Sequence, residues 1–187
     1  MKNYFTYQII LVLCLFSTFP CNSTAQTRRY KPAKKQTIEL PSQIKKGAKL
    51  SVRVVGITDG DTFKGLTNEK QEIRFRIYGI DAPEKNQAFG TRSKQYLSDL
   101  IFGKTVVIKV QSRRDRYGRP IVWVYTPAGK DVSAEMLKAG MAWHYKRYDS
   151  SPEYARYETN ARKSRIGLWA DKNPLAPWDF RHNKKKQ

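Results

Sequence analysis

Hydrophobic and polar positions alternate along several short segments between residues 50 and 125. Ile73, Phe75 and Ile77 alternate with polar or aromatic neighbours, which is the period of two expected for a half-buried β-strand. A β-branched run before Asp59-Gly60-Asp61 predicts a strand that enters a tight turn. The five predicted strands cover residues 52–57, 62–63, 73–78, 106–111 and 121–125.

Three further segments have the features of helices. Residues 88–102 place apolar side chains on one side and end at Gly103, a common stop signal. Residues 131–139 fit a short helix, and a third helix is predicted from 150–153, which has the residue types of a helix start, to Ile166. Five strands with helices after the third and the fifth predict an α+β, mainly β fold. The expected architecture is a five-stranded antiparallel barrel with about three helices. The oligonucleotide/oligosaccharide-binding (OB) barrel is one such design, which the pattern alone does not single out.

The first residues have the pattern of a secretory signal peptide. A short basic start and an apolar run precede small residues, and we expect residues 1–25 to be removed by cleavage after Ala25. A retained membrane anchor or lipid attachment at Cys21 are the alternatives, but the apolar run is short for a bilayer and Phe19-Pro20 is bulky for a lipid-attachment site. The mature chain would contain no cysteine. We therefore expect a secreted or periplasmic protein.

Charge and composition narrow the functional classes. The 187-residue chain has a net charge of +20, and a polyanionic partner such as nucleic acid, an anionic membrane surface or acidic glycan is expected. A mean hydropathy of −0.68 excludes a multipass membrane protein. More of the charge excess lies in the ends than in the centre. The predicted segments are a disordered basic linker over 26–49, a domain over 50–180 and a basic tail over 181–187.

Candidate chemistry lies in three charged clusters at strand ends, over residues 59–62, 76–84 and 115–119. Asp59 is interpreted as a turn former. Carboxylates converging at a barrel rim are hard oxygen ligands that suit Ca²⁺ or Mg²⁺, whereas a chain with two histidines and no mature cysteine disfavours zinc. Chemistry carried out by carboxylates and a bound cation does not need His144. Phe75 and Trp123 are interpreted as core residues.

These three clusters, in their order and spacing, resemble the staphylococcal nuclease (thermonuclease) family. The resemblance covers roughly residues 50–170 and includes the segments 137–142 and 166–169. It implies a five-stranded barrel with three helices that hydrolyses DNA and RNA phosphodiester bonds with Ca²⁺ as cofactor, Mg²⁺ being less favoured. By the same resemblance, the metal would be held by the carboxylates of Asp61 and Asp81 and by the main-chain carbonyl of Ala82.

The resemblance also assigns the remaining site residues. Arg76 and Arg119 would contact the phosphate, and Glu84 would orient or deprotonate the attacking water. Tyr117 and Tyr148 resemble nucleotide-contacting tyrosines. Arginine suits this role because its fork can hold two phosphate oxygens at once.

Two other interpretations stay open. A barrel of this family can be a catalytically inactive nucleic-acid-binding module, and retention of all five acidic and arginine site residues favours the enzyme. A binder of envelope polyanions would act through its basic ends. For the nuclease we expect DNA and RNA substrates with single strands preferred, little sequence specificity and a monomer.

Overall fold

The computed structural model describes residues 40–42, 44–112 and 114–184. The predicted signal peptide, residues 26–39 of the predicted linker, and residues 185–187 of the predicted basic tail lie outside the described residues. No helix in the described part of the chain is long and apolar enough to cross a membrane.

Five strands close into a barrel in the order β1-β2-β3-β6-β5. Neighbouring strands are antiparallel except β3 and β6, which run parallel and close the barrel. Two short strands form a separate pair, β4 with β7. The strands are β1 Lys49–Asp59, β2 Thr62–Leu66, β3 Glu72–Ile77, β4 Ile80–Asp81, β5 Thr105–Ser112, β6 Ile121–Tyr125 and β7 Trp143–His144. The predicted α+β barrel of OB type is thereby confirmed.

Four α-helices and one 3-10 turn surround the barrel. They are α1 Gly90–Ile101, α2 Val132–Lys138, α3 Pro152–Lys163, the 3-10 turn Gly167–Ala170 and α4 Pro177–Lys184. Asp131 caps α2 by accepting hydrogen bonds from two backbone amides, and Ser151 caps α3 ahead of Pro152. The first three helices match the predicted ones, and α4 is additional.

The period-two alternation places one face of each strand in the barrel core. Phe63 of β2 and Phe75 of β3 are fully buried, lie opposite each other in register and stack with ring centroids 5.3 Å apart. Trp123 differs from its prediction as a core residue. It alternates with the buried Val122 and Val124, so it points outward, where it contacts Tyr78.

The domain extends beyond both predicted boundaries. Leu40 and Ile44 are buried in the main core, and the Gly47 amide donates to the carbonyl of Val110 on β5. Residues 44–49 therefore pack against the barrel, although their lysines resemble a disordered linker by composition. At the other end, α4 continues through Arg181, which the sequence assigns to a basic tail.

Candidate active site

The turn between β1 and β2 brings two aspartates and a threonine to the barrel rim. The Asp59 carboxylate accepts the Asp61 amide at 3.2 Å, which is the turn-forming role expected of Asp59. Burial, followed by the nearby charge of Asp61, raises the pKa of Asp59 to about 7. The Thr62 hydroxyl donates to Asp61 Oδ1 at 3.0 Å, and Asp61 is buried. The side chain of Asp61 is therefore held in one orientation.

Arg76 of β3 bridges the two buried aspartates. Its Nη2 lies 3.1 Å from Asp61 Oδ2 and 3.2 Å from Asp81 Oδ1, and its Nη1 donates to the Ile77 carbonyl at 2.6 Å. Arg76 and Asp81 would face opposite ways on a continuous strand, but the chain reverses at Gly79, which has a positive φ of 78°. The turn therefore returns Asp81 to the guanidinium of Arg76.

The backbone after β4 also contacts this pair. The Ala82 amide donates to Asp61 Oδ2 at 2.8 Å, so the main chain at Ala82 lies beside the carboxylate of Asp61. Burial raises the pKa of Asp81, and hydrogen bonding and charge from Arg181 and Arg76 act against that rise. Asp61, Arg76, Asp81 and Ala82 are thus brought together, and their roles stay predictions.

Glu84 joins the cluster through an arginine that the sequence did not indicate. Arg181 of α4 places Nη2 at 2.6 Å from Asp81 Oδ2 and Nη1 at 2.7 Å from Glu84 Oε1. Gly90 allows this loop to pack closely, since a Cβ there would lie 2.0 Å from the Glu84 carbonyl. The Glu84 side chain remains 38% exposed, so water can reach it.

Arg119 is connected to the same cluster through Thr62. Its Nη1 donates to the Thr62 hydroxyl at 3.0 Å, and Thr62 in turn donates to Asp61. Asp115 orients Arg119 by accepting from its Nε at 2.9 Å and its Nη2 at 2.8 Å. Although burial opposes it, hydrogen bonding to Arg119 lowers the pKa of Asp115. Arg119 is therefore a held guanidinium rather than a free surface charge.

The two predicted tyrosines occupy different surroundings. Tyr117 is exposed and its ring lies 5.2 Å from the Arg119 guanidinium, so it borders the cluster. Tyr148 is also exposed, but its ring packs edge-on against Tyr145, which itself stacks on Trp178 of α4. Tyr148 therefore belongs to an aromatic group on the α4 side.

The carboxylate oxygens at this rim are ligands that suit a hard cation, although the described residues contain no complete cluster of metal ligands. No three His, Cys, Asp or Glu side chains among residues 40–42, 44–112 and 114–184 are grouped to hold an ion. Two buried carboxylates, those of Asp61 and Asp81, nevertheless share one Arg76 nitrogen and have oxygen donors of the type that Ca²⁺ and Mg²⁺ use. Their role as ligands, with Ala82, stays a prediction.

Three residues of the cluster were not predicted as site residues: Thr62, Asp115 and Arg181. Thr62 and Asp115 lie inside the charged clusters of the sequence, and their positions at strand ends could have indicated that they belong to the site. The signal for Arg181 was weaker, a proline at the start of a short helix with an acidic first turn and a basic last turn.

Thus the chain is an OB-type barrel with a buried arginine–carboxylate cluster at its rim. Residues 74–171 match the model of a family described as staphylococcal nuclease homologue. This range contains Arg76, Asp81, Glu84 and Arg119, and leaves out Asp61.

Several curated proteins are similar over most of the described domain. An uncharacterized endonuclease of Haemophilus influenzae is 45% identical over 137 residues, which are 73% of this chain and 76% of the relative. A micrococcal nuclease of Shigella flexneri is 44% identical over 143 residues, covering 71% of this chain and 80% of the relative. An uncharacterized endonuclease of Escherichia coli O157:H7 is 42% identical over 132 residues, covering 71% and 85%. The chain belongs to the staphylococcal nuclease family.

Proposed function

We propose that this protein is an exported, metal-dependent nuclease that hydrolyses DNA and RNA phosphodiester bonds with little sequence specificity. The observation that supports it is one connected cluster at the rim of the barrel. Arg76 pairs with Asp61 and Asp81. Arg119 is linked to the same carboxylates through the Thr62 hydroxyl, and Glu84 is linked to them through Arg181. Relatives named as endonucleases and as a micrococcal nuclease agree with this activity.

The two family arginines would bind and neutralise the scissile phosphate. Arg76 is oriented by Asp61 and Asp81, and Arg119 is oriented by Asp115, so neither guanidinium has to be ordered when substrate arrives. Charge builds up on the phosphate oxygens as a fifth oxygen approaches phosphorus, and preorganised guanidinium donors stabilise that charge most strongly in the transition state. This arrangement favours a phosphodiester over a neutral ester.

Glu84 would act on the attacking water. Its partly exposed carboxylate can accept a proton from a water molecule whose oxygen then bonds to phosphorus. The P–O bond to the leaving oxygen breaks, and that oxygen takes a proton from solvent to leave as an alcohol. Its position depends on the loop before α1, where the Glu84 amide donates to the Gln87 side chain at 3.1 Å.

The cofactor that we propose is Ca²⁺, held by Asp61, Asp81 and the carbonyl of Ala82. When bound, a divalent cation supplies Lewis-acid stabilisation of the phosphoryl charge. The all-oxygen ligand set supports this assignment, since Ca²⁺ is bound by carboxylate and main-chain carbonyl oxygens.

Weak base specificity follows from the kinds of contact available. Arginine contacts to phosphate carry no base information. Tyr117 and Tyr148 are 61% and 62% exposed, so their rings can stack on bases that are not already stacked in a duplex. We therefore expect DNA and RNA to be cleaved alike, with single strands preferred. The proposed monomer rests on the family resemblance.

Export to the periplasm or the medium is proposed from the pattern of residues 1–25. Fractionation of expressing cells, followed by determination of the N-terminus, tests it. Export predicts a chain beginning at Gln26, whereas lipid attachment predicts a membrane-bound chain that Cys21→Ala releases. A full-length chain in the cytoplasm would contradict export.

Cleavage assays with single-stranded DNA and RNA, each with Ca²⁺, Mg²⁺ or a chelator, test the proposed activity. We expect Ca²⁺-dependent cleavage of both polymers and its loss in Glu84→Gln. Glu72→Gln is the matched control, because Glu72 is an exposed glutamate of β3 that pairs with Lys64 on the barrel surface. Salt-sensitive binding without cleavage under every metal condition would instead identify a binding module and contradict the nuclease.

A further inference from the structure

Two side chains one turn apart hold α4 against the candidate site. Trp178 stacks on Tyr145 with ring centroids 5.7 Å apart and an interplanar angle of 4°, and it meets Trp143 edge-on at 5.4 Å. Arg181, three residues later, reaches Asp81 and Glu84. The helix is otherwise exposed beyond Pro177 and the half-buried Phe180. It is therefore attached to the domain largely through the aromatic stack and the ionic contact.

The contacts of Arg181 use the carboxylate oxygens of Asp81, a proposed metal ligand, and one oxygen of Glu84. Both carboxylate oxygens of Asp81 accept from Arg181, at 2.6 Å for Oδ2 and 3.3 Å for Oδ1, and Oδ1 also accepts from Arg76. Glu84 Oε1 accepts from the same guanidinium at 2.7 Å. A cation that binds Asp81 must therefore replace at least part of this hydrogen bonding.

Electrostatics act in the same direction. A guanidinium within hydrogen-bond distance of two carboxylates provides the positive charge that these acids need when no metal is bound. That charge repels an arriving divalent cation at short range, in partly buried surroundings where the repulsion is strong. The two positive groups are thus alternatives for one set of carboxylates.

We propose that Arg181 is an intramolecular competitor of the divalent cation at Asp81, so that α4 sets the metal affinity of the site. This inference rests on the proposed metal-dependent function. Arg181 acts through the two carboxylates and is a positioning residue rather than a catalytic one. An arginine that merely supported the site would have the opposite effect on metal affinity, because its loss would disorder the ligands.

Calorimetric titration of the purified protein with Ca²⁺, without nucleic acid, separates these possibilities. We expect Arg181→Met to lower the Kd for Ca²⁺ about tenfold, because a unit positive charge and two competing hydrogen-bond partners are removed. Arg156→Met is the matched control, since it removes the same charge from an exposed arginine of α3 paired with Glu153. Its Kd should stay at the wild-type value.

Two further variants keep the test independent of the folding of Arg181→Met. Trp178→Ala weakens the attachment of α4 without touching a carboxylate, and it should also lower the Kd for Ca²⁺. Arg181→Lys retains the charge but has no fork to contact both oxygens of Asp81, so its Kd should lie between the wild-type and Arg181→Met values. Circular dichroism of each variant reports whether it is folded.

Each outcome has a defined meaning. Tighter Ca²⁺ binding in Arg181→Met and Trp178→Ala, with Arg156→Met unchanged, supports the competition. Unchanged or weaker binding in folded Arg181 and Trp178 variants overturns it while leaving the proposed metal site intact. If neither the wild type nor any variant binds Ca²⁺, the metal site itself is refuted, and the competition with it.

Discussion

Gly60 is a position where a single added methyl group should damage the candidate site. A Cβ at this residue would lie 1.9 Å from Ser93 Oγ, 2.7 Å from Ala82 Cβ and 2.9 Å from Ser93 Cβ. Gly60 does not have a positive φ, so the backbone itself tolerates alanine. Glycine is needed here because the turn carrying Asp61 packs directly against α1 and the chain at Ala82.

The size of the effect follows from two opposing contributions. Overpacking a well-packed region costs about 1–3 kcal/mol. Replacing glycine by alanine returns about 0.4–1 kcal/mol by restricting the unfolded chain. Because Ser93 is anchored by a 2.7 Å hydrogen bond to the Met141 carbonyl, it cannot withdraw without loss. The upper part of the overpacking range therefore applies, and we expect Gly60→Ala to lower the free energy of unfolding by about 2 kcal/mol.

Urea unfolding followed by tryptophan fluorescence measures this change. Gly56→Ala on β1 is the matched control, since the three atoms nearest its Cβ all belong to the flexible Lys64 side chain, the closest at 3.3 Å. Ser93→Gly removes two of the three close atoms, so the cost of Gly60→Ala should be smaller in that background. A Gly60→Ala variant as stable as Gly56→Ala, or an identical cost with and without Ser93, would refute the steric explanation.

Three other perturbations test the surroundings of the site. Asp115→Asn should reduce kcat at least about tenfold, because Arg119 loses its orienting partner. The pKa of Asp115 is lowered from 3.8 in the folded protein, so the ionised carboxylate stabilises the fold above pH 3.8. This stabilisation is lost as the pH falls through the folded pKa. The free energies of unfolding of the wild type and Asp115→Asn should therefore converge in acid. Tyr154→Phe should cost about 2 kcal/mol in thermal or urea unfolding, because the buried hydroxyl donates to Asp131 at 2.5 Å, whereas Tyr157→Phe on the same helix should change little. Binding of inactive protein to single-stranded DNA should weaken linearly in a plot of log affinity against log salt concentration, and an absence of salt dependence would contradict phosphate recognition.

The barrel was predictable because its signals are local. Strict alternation around Phe75 identifies β3, and the same rule correctly indicates Phe75 as a core residue. The alternation of β6 also shows why Trp123 is not in the core, since its two neighbours Val122 and Val124 take the inward positions. What alternation cannot supply is the parallel pairing of β3 with β6, which depends on barrel closure over a long sequence separation.

The candidate site was predictable only in part, because its contacts join distant segments. The resemblance brought Asp61, Arg76, Asp81, Glu84 and Arg119 into one hypothesis, and the structure places Asp61, Arg76 and Asp81 in direct contact. The links of Arg119 through Thr62 and of Glu84 through Arg181 are indirect. They depend on which rotamer reaches which oxygen after folding, and residue spacing contains no such information.

Arg181 shows most clearly why composition misleads at the end of a basic chain. In a chain of net charge +20, a run of basic residues after a helix resembles a solvated tail, because most such charges have no carboxylate within reach. The described structure instead pairs Arg181 with the partly exposed Glu84 and with Asp81, whose burial makes an uncompensated charge costly. The need of the buried Asp81 carboxylate for a positive group beside it, rather than the net charge of the chain, determines where Arg181 lies. If a metal can meet the same demand, the position of α4 and the occupancy of the metal site are linked, and a measured change in one implies a change in the other.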